Sequence, residues 1–494
     1  MKSLVLVTVT LISAMATPDE YSQERATILC QETANFLGHN ITLTLKEESV
    51  NEILLATKNK ELSYEISSDF LPAQHFFRAK NRIDKSRVFA MIRTLPKGAS
   101  LHTHLLAAAS VDFLIRNISY RENLYGGYVN NVFKLKFLQN PESDPRCNWT
   151  LVKEMRERET APVFDHWLRT QLTLNVENPQ ESYPSVEKVW EKFKKVFTTT
   201  YDMLSYRPVF EDYIYQVLRE LHDDNVMYTE LKGTIMPLYE LDGTTHSKEE
   251  FFEIFINTVG KFKSDFPAFT GVKYIHSIYR GVDNDVLQTG LEEIINLKKH
   301  YPDFIAGFDF VGFEEEGHTL FDYHSLLMGA QKHLKFFFHA GETNWFGHTD
   351  LNLVDAILLN SSRIGHGFAL TKHPKLLQLA KNRNIPLEIC PISNQVLMLN
   401  DDPRNHPGAT LMALDYPVVV GNDDPSIWNA TGLSYDWYMV FMAMTPKNSG
   451  LEVLKQLAIN SIVFSCMEEE ERRRSLEQWA DQWDKFLDDI LVNK

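Results

Sequence analysis

Pro96-Lys97-Gly98-Ala99-Ser100-Leu101-His102-Thr103-His104 is the stretch at which the chain changes period. Upstream, from Thr17 to about Leu95, apolar residues fall at helical spacing: Val50, Ile53, Leu54 and Ala56 in 47–60, then mixed three- and four-residue steps over 70–92. Pro96-Lys97-Gly98 punctuates that region. Downstream, short β-rich runs alternate with longer helical stretches. The predicted strands are 100–104, 226–232, 271–277, 305–312, 334–339, 363–367, 385–390 and 418–421. Eight such runs with helices between them describe an α/β chain, a (β/α)8 TIM barrel over 96–494 with a helical N-terminal extension over 17–95. The first gap, about 120 residues, is too long for one crossover and holds an insertion after the first strand. Residues 120–163, broken by Gly126-Gly127, Asn140-Pro141 and Asp144-Pro145, are read as that module.

Composition narrows the class. The 494 residues are 44% hydrophobic and 23% charged, which excludes collagen-like, coiled-coil and largely disordered chains. A formal charge of −16 gives no footprint for a phosphate backbone, so no nucleic acid partner is expected. The last predicted helix, 475–490, sets Leu476, Trp479, Trp483, Phe486, Leu487 and Ile490 on one face. Its other face is acidic, which is wrong for anionic lipid, so it is predicted to pack against the body of the protein.

The N-terminus reads as a targeting segment. Met1-Lys2-Ser3 is a short positive head, 4–14 an apolar run too short to span a bilayer, and Ala14-Met15-Ala16 a signal-peptidase site. Residues 1–16 are therefore expected to be a secretory signal peptide, and no later run is long enough for membrane insertion. The expected localisation is secreted and extracellular. Sequons at Asn40, Asn117, Asn148, Asn360 and Asn429 agree with that route as glycosylation sites. The four cysteines show no metal-like spacing and allow at most one or two bridges, with Cys390 read as a buried thiol.

The chemistry gathers at the ends of the predicted strands. His102 and His104 are two apart, so on a strand both imidazoles point the same way. Such a triplet means little alone, but this one ends the first strand, at the rim where barrels carry catalytic groups. Phe336-Phe337-Phe338-His339-Ala340-Gly341-Glu342 delivers an imidazole and then a carboxylate to the same rim. Gly365-His366-Gly367 adds another imidazole, and Val420-Gly421-Asn422-Asp423-Asp424-Pro425 ends the last strand in paired carboxylates. Singly, His339 could be a core histidine and Asp423-Asp424-Pro425 a helix cap. Jointly, His102, His104, His339 and Asp423 form a three-nitrogen, one-oxygen set suited to zinc, with one position left for water.

These motifs, with Gly307-Phe308-Asp309-Phe310-Val311-Gly312, Arg363-Ile364-Gly365-His366-Gly367-Phe368-Ala369-Leu370, Cys390-Pro391-Ile392-Ser393-Asn394-Gln395 and Gly432-Leu433-Ser434-Tyr435-Asp436, resemble the metal-dependent amidohydrolases. Within them the chain resembles the secreted adenosine deaminase 2 type, also called adenosine deaminase-related growth factors. The resemblance covers essentially the whole mature chain. It implies one Zn2+ per chain on His102, His104, His339 and Asp423. It implies water activation by His366 and Asp423, proton donation to purine N1 by Glu342, and contacts to N7 from Asp424 and to N3 from Gly312. Trp345 is placed beside them as a substrate-binding residue. It further implies a purine nucleoside substrate, a homodimer through the N-terminal region, a cell-surface receptor or glycan partner, and growth-factor-like lowering of extracellular adenosine.

Three departures stand out. Leu105 occupies the position where the family carries a sugar-binding Asp, Tyr279 stands where a His is expected, and the insertion offers only Cys147 for the family's cysteine pair. Retained deamination with altered sugar recognition is the expectation. Another purine amidohydrolase and a catalytically weak signalling protein are the alternatives; the missing paired-Cys motif excludes the cytidine-type deaminase fold.

Overall fold

Eight parallel strands close around a common axis in the computed structural model, which describes residues 17–66 and 69–492; the predicted signal peptide, 1–16, lies outside the described residues. β1 (Gly98–His104) opens the barrel. An antiparallel trio follows, β2 (Leu124–Val129), β3 (Val132–Phe137) and β4 (Thr150–Leu151), before the barrel resumes with β5 (Val226–Gly233), β6 (Gly271–Tyr279) and β7 (Ile305–Val311). It ends with β8 (Lys335–Phe336), β9 (His339–Ala340), β10 (Ile364–His366), β11 (Leu387–Ile389) and β12 (Val418–Val420). The barrel order is β1-β5-β6-β7-β8 and β9-β10-β11-β12. Asp423 closes the ring: its N–H donates to the His102 carbonyl (3.0 Å) and its carbonyl accepts from the His104 N–H (2.8 Å). The strands are almost wholly buried, as parallel strands covered on both faces require.

All eight predicted strands are present, but the fifth is split. Between β8 and β9 the ladder gives way to side chains: the Asp309 carboxylate accepts the His339 N–H at 2.9 Å, and Lys232 Nζ donates to the Phe337 carbonyl at 3.0 Å. Two barrel side chains thus replace backbone pairing beside His339.

The insertion is a hairpin. β2 and β3 join through Asn130-Asn131, both at positive φ (50° and 63°), the two-residue geometry that matches strand twist. Gly126-Gly127, read as a break, instead lies within β2, because added Cβ atoms there would meet the Phe133 ring at 2.6 Å and Cys147 Sγ at 2.5 Å. β3 packs against the helix Val186–Leu204, which crosses the barrel mouth over Leu105–Ala107.

The N-terminal helices are Pro18–Thr33, Leu45–Ile66, Phe76–Ile83 and Arg87–Thr94. The helical run expected over 70–92 is broken near Ser86. Glu61 explains the restart, accepting Ser86 Oγ at 2.7 Å and the N–H groups of Arg87 and Val88 at 2.8 and 3.1 Å, as a cap does. The final helix, Glu469–Val492, buries Trp479, Trp483, Phe486 and Leu487 against the protein; the Trp483 indole donates to Glu47 and that of Trp479 to the Pro96 carbonyl. One continuous core runs from Phe36 to Leu487, so residue 96 marks a change of period and not a gap in packing. Among the described residues no helix is long and apolar enough to cross a membrane. Cys30, Cys147, Cys390 and Cys466 are all unbridged, and Cys390 is buried as expected. Asn40, Asn117, Asn148 and Asn360 are exposed; Asn429 is half-buried, its carboxamide oxygen accepting from Arg169 at 3.2 Å.

Candidate active site

Strand ends β1, β9 and β12 bring His102, His104, His339 and Asp423 together, with one ligand atom from each within 4.8 Å of the others. Asp423 Oδ1 lies 3.1 Å from His102 Nε2 and 2.9 Å from His104 Nε2, and His104 Nε2 lies 3.3 Å from His339 Nε2. Buried carboxylates hold the far nitrogens: His102 Nδ1 faces Glu388 at 2.6 Å and His339 Nδ1 faces Asp309 at 2.7 Å. Those bonds put the protons on Nδ1. The Nε2 atoms of His102 and His339 then present lone pairs, to the Asp423 carboxylate and to His104 respectively. Two acceptors, His102 Nε2 and Asp423 Oδ1, do not face one another at 3.1 Å without a cation between them. The donor set fits a divalent metal ion.

A buried ionic chain fixes this arrangement. Lys232 Nζ lies 3.0 Å from Asp309 and 3.1 Å from Glu388, pinning both imidazole-holding carboxylates. Arg363 links Glu388 (2.6 Å) to Glu230 (2.7 Å). Burial alone would raise the carboxyl pKa of Glu388 and Asp309; the positive charges and imidazoles around them hold both below the usual range. Sequence reading assigned these five residues no role. Their signal was present: Asp309 between two phenylalanines, Glu388 between Leu387 and Ile389, each a lone charge in an apolar strand.

Glu342 and His366 stand beside the cluster, His366 Nε2 being 3.5 Å from Glu342 Oε1. Burial raises the Glu342 carboxyl well above its ordinary range, and the negative charges of Asp423 and Glu314 add to the shift. Glu314 holds the turn by accepting the Gly341 N–H (2.9 Å) and the Glu342 N–H (2.6 Å). Asp424 is raised likewise by burial and then by Asp423. Asp423 moves the other way: burial opposes it, but the His102 and His104 rings that face it hold it well below the carboxylate range. One carboxyl is thus pushed down between two that are pushed up.

His366 has its tautomer set from behind. His406 Nδ1 accepts the Gly408 N–H at 2.9 Å, so its Nε2 donates to Asn394 Oδ1 at 2.9 Å. The Asn394 amide then donates to His366 Nδ1 at 3.1 Å, leaving the His366 proton on Nε2. Burial pushes the His366 pKa well below its ordinary value, which keeps the ring neutral. His366 Nε2 and Asp424 Oδ1 are both buried without a hydrogen-bond partner, and both residues line the cavity at the barrel mouth. His366 and Asp423 also adopt φ of 58°, a left-handed conformation that costs energy in residues other than glycine.

The cavity, about 350 Å³, takes in Gly312, Glu342, His366, Asp423, Asp424, Leu105 and Tyr279 from the sequence reading. Gly312 has φ 109°, and a Cβ there would meet the Tyr279 ring at 2.5 Å. Trp345 is not brought in. It is 57% exposed, its indole donating to Glu315 at 3.0 Å, and it does not line the cavity.

Comparison with known proteins agrees with this geometry. Residues 168–482 match the family model described as adenosine deaminase, and residues 3–92 that described as adenosine/AMP deaminase N-terminal. The chain is 40% identical to human adenosine deaminase 2 over 479 residues, covering 95% of this chain and 94% of the human protein. It is 41% identical to adenosine deaminase of Aedes albopictus over 483 residues, 97% and 90% of the two chains. Among solved structures, Arabidopsis ADAL complexed with IMP superposes with a TM-score of 0.58 at 18% identity, covering 80% of this chain and 99% of that one. A zinc-bound amidohydrolase from Burkhoderia ambifaria gives 0.58 at 18% identity, over 82% and 95%. At that identity the two structures speak for the barrel fold alone. With the family model spanning most of the barrel and relatives matched over nearly their whole length, the chain belongs to the adenosine deaminase family of hydrolases acting on C–N bonds.

Proposed function

We propose that this protein is a secreted, zinc-dependent hydrolase that converts adenosine and 2′-deoxyadenosine to inosine and 2′-deoxyinosine with release of ammonia. One observation carries the reading: ligand atoms of His102, His104, His339 and Asp423 converge within 4.8 Å of one another, beside the buried carboxyls of Glu342 and Asp424, whose pKa values burial raises. Residues His102, His104, His339 and Asp423 would hold the ion. Bound there, zinc supplies Lewis-acid chemistry that makes water acidic enough to react at neutral pH.

The chain's own groups divide the remaining work. Glu342, protonated, donates to purine N1 as water adds to C6, where negative charge would otherwise build. Asp423, ionised, accepts the proton of the attacking water. His366 offers an N–H and so orients the oxygen as it adds, while Asn394 holds the ring in the donor tautomer. Asp424 is protonated and donates to N7, an acceptor that an ionised carboxylate would repel. Gly312, at the cavity wall, offers its backbone near N3. The amino group leaves as ammonia and the product carries oxygen at C6.

Secretion is supported by the N-terminal sequence and by four exposed sequons. A homodimer is supported by the helix Pro18–Thr33, which buries none of its residues and leaves Tyr21, Ile28 and Leu29 exposed. A receptor or glycan partner and a growth-factor-like lowering of extracellular adenosine complete the proposal. A second reading, a purine amidohydrolase of altered sugar specificity, is favoured by Leu105 and Tyr279 in the cavity wall.

The decisive experiment is metal analysis of the purified protein paired with ultraviolet detection of adenosine loss, before and after chelation. Stoichiometric zinc with chelator-sensitive turnover is expected; metal-free protein of full activity would sink the reading. N-terminal and glycan mass spectrometry tests processing after Ala16, and sedimentation tests the dimer, which a monomer at micromolar concentration would contradict.

A further inference from the structure

The cavity has two unlike halves. Every carboxylate and imidazole lining it belongs to the cluster above: His104, His339, Glu342, His366, Asp423 and Asp424. Away from the cluster the lining is mainly apolar, with Leu105 and Leu106 following β1 and Trp190, Phe193 and Phe197 from the Val186–Leu204 helix. Leu105 and Trp190 are buried in packed walls. Leu105 Cβ lies 3.0 Å from where a Cβ on Gly233 would stand, and Trp190 stacks on Phe313 at 4.8 Å.

The polar side chains outside the cluster are Thr234, Ser277, Tyr279, Lys194 and Lys232. Lys232 is committed to Asp309, Glu388 and the Phe337 carbonyl, and Lys194 is paired with Glu316. An ammonium cannot accept a hydrogen bond. A sugar hydroxyl here meets no charged acceptor outside the cluster, only the neutral hydroxyls of Thr234, Ser277 and Tyr279.

Resting on the deaminase reading, we infer that the preferred substrate is an adenine compound whose N9 substituent is apolar and poor in hydroxyls: a deoxygenated sugar or an alkyl chain rather than ribose. The reaction is unchanged. Water gives its oxygen to C6, the C6–N bond breaks, and nitrogen leaves as ammonia.

The test uses the full-length zinc-loaded protein. Values of kcat/KM are measured for adenosine, 2′-deoxyadenosine, 5′-deoxyadenosine, 2′,3′-dideoxyadenosine and 9-propyladenine. A rise of about tenfold on removal of a buried hydroxyl is expected, with adenosine at the bottom of the series. A flat series, or one headed by adenosine, overturns the inference and leaves deamination standing. If no adenine compound is turned over, the deaminase reading falls instead. Calorimetry of 9-propylpurine against purine riboside then decides the cavity's preference by itself, and tighter binding of the riboside overturns it. Leu105→Asp is expected to move preference back towards adenosine by about tenfold; an unmoved preference in a folded variant also counts against the inference.

Discussion

The catalytic half of the cavity and its apolar half are built by different rules. The first is set by strand ends: backbone ladders fix the bases of His102, His339 and Asp423, and a buried ionic chain through Lys232, Asp309, Glu388 and Arg363 fixes their rings. The second is set by a helix that reaches the mouth from between the first two barrel strands and is backed by the insertion hairpin. Side chains in the first half are tied to several partners each. Those in the second touch their neighbours through packing alone. Chemistry is therefore over-determined where specificity is not, and substitutions should act in unlike ways on the two halves.

Removing the ion should have the largest effect and should fall on one half only. Chelation is expected to abolish turnover, with recovery on adding zinc, and to lower the melting temperature because the ion binds only the folded chain. Binding of a 9-alkylpurine to the apolar wall should survive. Next comes Glu342→Gln, expected to lower kcat by about 10²–10⁴ with KM nearly unchanged. The pH profile gives the sign. Glu342 acts in its protonated form and burial raises its pKa, so activity is present below that raised value and lost as pH rises through it. An alkaline limb that persists unchanged in Glu342→Gln would assign the proton to another group.

Asp309→Asn should weaken metal affinity by about 10–100-fold, since it unseats the His339 ring and the Lys232 contact together. Zinc titration followed by calorimetry checks it. Asn394→Leu should act on kcat and leave metal content intact. Without the amide, nothing holds the His366 proton on Nε2, and a loss of about 10–100-fold is expected. An unchanged kcat would show that His366 needs no fixed tautomer.

The rim residues were legible in the sequence because each closes an apolar strand followed by small or turn residues, and strands of a barrel deliver their ends to one face. His339 and Asp423 announce themselves in this way. Split pairing between β8 and β9 was not legible: the groups that replace it, Asp309 and Lys232, lie about 30 and 105 residues away, and no local pattern encodes their reach. Trp345, expected at the substrate, lies outside the cavity: the chain turns outward at Thr343 and Glu315 holds the indole at the surface. The wall helix shows the remaining limit. Its apolar face is plain in the spacing of Trp190, Phe193 and Phe197, yet periodicity cannot say whether such a face covers a core or a cavity.

Phe193→Ala should have the smallest effect on catalysis and is the finest probe of the difference between the halves. The ring lies in the cavity wall, is buried, meets Trp190 edge to face at 5.0 Å and lies parallel to Trp428 at 6.4 Å. Truncation opens space in the wall, and a buried Phe→Ala change costs about 3–5 kcal/mol of stability where the site does not collapse. None of the groups that handle protons touches this ring, so kcat should stay within about twofold while KM for apolar substrates rises several-fold. The same variant should leave zinc content unaltered. A fall in kcat equal to the fall in kcat/KM would mean that the wall tightens only on the transition state, and the two halves would then have to be treated as one machine.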